Sequence, residues 1–407
     1  MRIKLEIILA YLLTMSLCLQ IGYLFNGASR FIPLRVIIVL SLFLLIKSLA
    51  STIKVNLRYV KWLVVLSTIQ IIYLLFWVEF FTDELLSRTI GNFIYIVCFY
   101  MLFDSICNKL SRQQLLNVCK LGCYFFLFLL VIETILRFTY PALNVSQLDS
   151  NAAQKVESDA ASIYEGSLSI FDYFYSFKYS SVMFFDSNYV GLMGLLIVFC
   201  IKFIKNNQQS NRQLNIAEIV AICVVIFSFS RAAMIAAVLF YGTYYFVKIR
   251  SLSIKVSLFI TLITSVLLVI FISDFHGLND GSLETKLQIM ESLYSKFDSV
   301  TFTQFIFGAG PVVGGYVFSY KDGGYAHALI PLVVGEMGVI GMVMVLVLYI
   351  YMIIKFGVWG WLFTIITFIP GLSLIDPYQV MYYWTVVLLH HIRITDTDID
   401  GSNFNYR

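Results

Sequence analysis

The residue in this chain best suited to gripping an anion is Arg231, in Phe227-Ser228-Phe229-Ser230-Arg231-Ala232-Ala233 between two apolar runs. A guanidinium keeps its charge throughout the accessible pH range, and its planar fork matches phosphate oxygens two at a time. It is costly at a bilayer centre, by about 2.5–3.5 kcal/mol on insertion scales. The stretch is therefore expected to be a tight turn at or just beneath a membrane surface. There Arg231 either holds a phosphate or snorkels and marks the turn.

A second constellation runs from 308 to 341, GAGPVVGGYVFSYKDGGYAHALIPLVVGEMGVIG. Gly308, Gly310, Gly314, Gly315, Gly323 and Gly324 allow a backbone to approach a ligand closely or to take positive φ. Lys321 adds a cation among the candidate substrate contacts. His327 follows, just before an apolar run, and a neutral imidazole there is either a general base near pH 7 or an amphipathic anchor. Glu336 lies nine residues on, inside the run. It is a candidate substrate contact or the partner of an arginine.

The third is Phe184-Phe185-Asp186-Ser187-Asn188-Tyr189-Val190-Gly191 at the start of another apolar run. Asp186 or Ser187 caps that helix, or Asp186 and Asn188 hydrogen-bond a sugar or orient a cation. The preceding segment is dense in aromatics, among them Tyr164, Phe171, Tyr173, Phe174, Tyr175, Phe177 and Tyr179. Such a segment lies along a membrane interface, as an aromatic belt or as a surface for stacking sugars. Arg30, Arg35, Arg88 and Arg137 also fall near the ends of apolar runs, and with Arg231 they suit a polyanion such as a lipid pyrophosphate.

All seven cysteines lie in apolar runs or short connections, without the spacing of a disulfide framework or a zinc site. They read as small hydrophobes. No metal or cofactor is expected, and no nucleotide-binding loop is visible.

These residues have to be positioned by membrane helices. The chain has 407 residues, 60% apolar and only 13% charged, about half the usual charged fraction of a soluble domain. Runs of about 17–25 apolar residues can span a bilayer. Approximate spans are 7–25, 31–46, 62–79, 89–106, 121–139, 187–203, 215–229, 232–247, 254–273, 331–353, 357–370 and 379–392. The first, which lacks a small-residue cleavage site, reads as a retained span. With both termini cytoplasmic, 18 of the 28 Lys and Arg fall on the inner side and 10 on the outer, as the positive-inside rule requires. The outer side carries two long segments, 140–185 and 274–330, and most of the candidate residues. The expectation is one all-α transmembrane domain over 1–407 whose site faces outward. An outward enzyme without a nucleotide site needs a substrate that arrives already activated.

The FFDSN start, the FSFSRAA turn, the GAG tract and a His ahead of G-x-x-G together resemble the bacterial O-antigen polymerase and O-antigen ligase superfamily. In ligases the His is followed by Asn, Ser or Gln, nine variable residues and G-x-x-G. Here His327 and Gly338-Val339-Ile340-Gly341 keep that spacing, but position 328 is Ala, and the chain looks closer to an O-antigen polymerase. The resemblance implies a GT-C-like glycosyltransferase in the inner membrane, acting at the periplasmic face on undecaprenyl-pyrophosphate-linked oligosaccharide. By motif, Arg231 would hold the pyrophosphate leaving group, and His327 would activate or orient the acceptor hydroxyl. A flippase and a chain-length regulator would be partners. The alternatives are a ligase delivering polymer to lipid A-core, and a twelve-helix transporter. Transporters usually show repeat halves and broken helices, neither of which is clear in the sequence.

Overall fold

The computed structural model describes residues 5–21, 99–100, 102–139, 187–208, 211–249, 288, 291–296, 299–310, 313–319, 326, 328–372 and 380–397. The expected spans 31–46, 62–79 and 254–273 and the segment 140–185 lie outside the described residues, as do Arg88, Asp186, Lys321 and His327.

Among the described residues the elements are helical: α1 (Leu5–Ile21), α2 (Arg112–Thr139), α3 (Ser187–Asn207), α4 (Arg212–Phe227), α5 (Arg231–Lys248), α6 (Phe302–Phe307), α7 (Val313–Val317), α8 (Leu329–Phe356), α9 (Val358–Gly371) and α10 (Val380–Thr397). Of these, α2, α3 and α8 are long and apolar enough to cross a membrane, while Leu5–Leu19 and α9 are shorter apolar helices. At 1.5 Å per residue the 28 residues of α2 extend about 42 Å. That is more than its apolar run requires. The helix starts at Arg112 because Ser111 and Gln114 bond reciprocally, Ser111 N–H to Gln114 Oε1 at 2.9 Å and Gln114 N–H to Ser111 Oγ at 3.4 Å, a capping box in the polar flank.

The bundle alternates in direction. At one end Arg137, near the close of α2, reaches the carbonyl of Phe227 that ends α4, and Ser187 at the start of α3 reaches Ser228 beyond α4. At the other end Arg112 at the start of α2 donates to Asn207 at the close of α3, 3.0 Å away. There His391 of α10 meets Asp104 at 2.8 Å, and Arg393 donates to the Phe356 carbonyl. This second end also gathers Lys202 and Lys205, 2.8 and 2.5 Å from the Glu218 carboxylate. Lys202 stands over the rings of Tyr241, Tyr244 and Tyr245, a cation–π arrangement that shields its charge.

The core forms around α3, which is buried along nearly its whole length. Phe199 packs edge-on against Phe240, Trp359 and Phe363 from α5 and α9. Trp384 of α10 lies fully buried and donates to Thr14 of α1 at 3.1 Å.

Candidate functional site

The start of α3 and the α4–α5 turn, read from sequence as separate motifs, form one structure. Ser187 Oγ donates to the Ser228 carbonyl at 2.9 Å, and Ser228 Oγ to the Val225 carbonyl at 2.6 Å. Ser230 N–H returns to Ser228 Oγ at 3.2 Å. Ser230 also caps α5, its hydroxyl oxygen accepting from Ala233 N–H at 3.4 Å. The three serines are buried, so the polar groups of the turn take their partners from within the protein. Ser187 thus lies within α3 and serves the turn, while Asp186, the other residue expected to cap the helix, lies outside the described residues.

Gly191, one turn further along α3, makes this approach possible. A Cβ there would fall 2.5 Å from Ser228 Oγ and 3.0 Å from the Cβ atoms of Ala233 and Ser230. At the crest, Phe229 has φ of 53°, a left-handed conformation costing about 1–2 kcal/mol for a residue with a side chain. Its ring meets Phe138 edge-on at 6.2 Å, and Phe138 meets Phe227 at 6.0 Å.

Arg231 opens α5 directly after this turn and is half-buried; Asn188 is half-buried in the first turn of α3. The N-termini of α3 and α5 therefore open at the same end of the bundle, each carrying the partial positive charge of a helix N-terminus. Arg137 has a different place from the one expected. It is fully buried, with Nε 3.3 Å from Glu133 Oε1, Nη2 donating to the Phe227 carbonyl at 2.8 Å, and the guanidinium over the Phe138 ring. Its charge supports the turn from within.

The glycine tract builds a second structure around Glu336, which is 2% exposed. The sequence shows no clear break in its helices, yet α8 is interrupted at Gly338, with φ 66° and ψ −168°, a region open essentially only to glycine. The break frees two carbonyls that the segment before α7 takes up: Ala309 N–H donates to Gly335 at 2.8 Å and Gly310 N–H to Glu336 at 3.0 Å. Backbones touch here. A Cβ on Gly308 would fall 2.4 Å from the Glu336 carbonyl, and one on Gly338 2.2 Å from that of Ile306. The close approach expected of this tract is thus made to the protein's own helix.

Part of segment 274–330 is accordingly well organised. Ser292 donates to the Phe318 carbonyl at 2.6 Å and Lys296 to that of Ser319 at 2.6 Å, while α6 and α7 pack on α8. Between the two structures lies α9, which packs on both α5 and α8. Among the described cysteines, Cys119, Cys123 and Cys200 converge in the core, a grouping that linear spacing does not reveal. No family model, curated protein or solved structure matches the chain.

Proposed function

We propose that this chain is an O-antigen polymerase, an integral membrane glycosyltransferase that joins undecaprenyl-pyrophosphate-linked repeat units. The observation that carries the reading is the Ser187–Ser228 contact. It unites two of the four motifs that carry the resemblance and brings the N-termini of α3 and α5 to the end of the bundle where Arg231 stands, an arrangement suited to a pyrophosphate. The opposite end collects Arg112, Lys202, Lys205, Lys248, Lys355 and Arg393. That bias favours a cytoplasmic location for it, with the Arg231 end facing the periplasm and both termini inside.

In this reading Arg231 holds the pyrophosphate, and Asp186, Asn188, Arg88, Lys321 and Glu336 contact glycan or phosphate. Arg137 positions the turn. His327 accepts or directs the proton of the acceptor hydroxyl as its oxygen bonds to the anomeric carbon of the donor. The carbon–oxygen bond to undecaprenyl pyrophosphate breaks, and that leaving group removes any need for a nucleotide. A flippase supplies the repeat units, and a chain-length regulator shares the membrane. A second reading, a transporter, draws on the break at Gly338, since broken helices commonly bind substrates. Here, however, the freed carbonyls already accept from Ala309 and Gly310.

A deletion strain tests these readings. A polymerase mutant shows lipid A-core bearing a single repeat unit and no ladder; a ligase mutant shows bare core with lipid-linked polymer accumulating. An unchanged ladder sinks both enzyme readings. In reconstituted enzyme, His327→Gln retains donor binding and loses polymerisation if His327 is the base; an active Gln variant reduces it to orienting the acceptor.

A further inference from the structure

We propose that Cys119, Cys123 and Cys200 form a buried three-sulfur site for a thiophilic metal ion, copper(I), between α2 and α3. Cys119 and Cys123 are one helical turn apart and share a face of α2, and Cys200 comes from α3. Their sulfurs lie within 4.8 Å of one another, and each residue is only 2–3% exposed. An equilateral triangle with sides of 4.8 Å has its centre about 2.8 Å from each corner, so metal–sulfur bonds of about 2.3 Å require a contraction of roughly half an ångström per sulfur. Side-chain rotation can supply that movement.

The surroundings select the ion. Soft thiolates favour copper(I) and zinc, but closed zinc sites take four ligands. Around this cluster stand Phe199, Phe203, Leu388 and Leu389, with Thr385 as the neighbouring polar group. Thr385 Oγ1 is 3.9 Å from Cys200 Sγ and donates to the Met381 carbonyl at 2.8 Å. A fourth ligand of zinc's usual kind is absent from that group. Copper(I) is satisfied by three sulfurs. Each cysteine that bonds the ion does so as a thiolate, and its proton is released to solvent as the sulfur–metal bond forms. Cys119 and Cys200 each lie seven residues from the helix ends where Arg112 meets Asn207, about 10 Å in at 1.5 Å per residue. The proposal is independent of the reaction catalysed elsewhere in the chain.

The test titrates the full-length protein, purified in detergent under anaerobic reducing conditions, with copper(I) against a chromophoric chelator. The wild type is expected to withdraw about one equivalent and to develop ultraviolet thiolate-to-copper absorption. Cys18→Ser/Cys107→Ser/Cys223→Ser should match it. Cys119→Ser/Cys123→Ser/Cys200→Ser should withdraw none. Cys200→Ala, which leaves most of the packing in place, should weaken binding at least tenfold. Equal uptake by both triple variants, no uptake by the wild type, or unchanged affinity in Cys200→Ala overturns the site. One equivalent of zinc held against excess copper(I) overturns the choice of ion.

Discussion

Ser187 hands its hydroxyl hydrogen to the carbonyl of Ser228, 2.9 Å away and 41 residues along the chain. This bond fixes where α5 begins, and so where Arg231 stands relative to the start of α3. Ser187→Ala leaves a buried carbonyl short of a donor, a loss of about 1–3 kcal/mol. Gly191→Ala drives a methyl group onto Ser228 Oγ and shifts the turn. Both variants should lower polymerisation more than they lower membrane protein level, with Gly191→Ala the more severe. Wild-type polymer length and rate in Gly191→Ala would separate the turn from the reaction.

Arg231 itself should depend on geometry as well as charge. Ala is expected to abolish the polysaccharide ladder. In reconstituted enzyme the rate should fall about 10²–10³-fold, the scale of removing one donor from a preorganised anion site. Lys keeps the charge but not the fork and should restore only a small fraction. Full activity in Arg231→Lys would make the residue a point charge. Full activity in Arg231→Ala would make it a turn marker.

The sequence made much of this architecture legible, because apolar runs in a bilayer leave few alternatives to helices. The expected spans 187–203, 232–247 and 357–370 coincide closely with α3, α5 and α9, and the cost of burying Arg231 located the α4–α5 turn. Contacts between helices were not legible in the same way. Neither Ser187 nor Cys200 carries any local mark of its distant partner. Arg137 did carry one: Glu133 stands four residues before it, the spacing of an intrahelical pair. Proximity to a run's end had suggested a surface cation instead. The break at Gly338 depends on a backbone conformation that glycine permits but does not announce.

The Glu133–Arg137 pair offers a thermodynamic test. Both side chains are fully buried, and removing one partner of such a pair commonly costs about 3–5 kcal/mol because the other charge stays behind. Arg137→Met should therefore lower the thermal midpoint of the detergent-solubilised protein substantially. Glu133→Gln/Arg137→Met, which removes both charges, should recover most of that loss. Polymerising activity should follow stability across the series. A double variant that is stable yet inactive would show that Arg137 is needed for more than charge balance, through its bond to the Phe227 carbonyl or through substrate.

Gly338 should tolerate no side chain. Its φ of 66° and ψ of −168° lie in a region where a non-glycine residue costs about 1–3 kcal/mol, and an added Cβ would sit 2.2 Å from the Ile306 carbonyl oxygen. Alanine would draw 338 back towards helical geometry, close the break in α8, and compete with Ala309 and Gly310 for the Gly335 and Glu336 carbonyls. The first consequence should be loosening of 301–319 from α8, visible as new protease cleavage or faster amide exchange there while α3 and α5 stay protected. The second should be loss of polymerisation, since the Glu336 backbone is held at this junction. Gly341 provides the contrast: a Cβ there would meet the side chain of Met337, which can move, and no positive φ is required. Gly341→Ala should be far milder. Equal effects of the two substitutions would show that helix packing, and not the break, is what the tract protects.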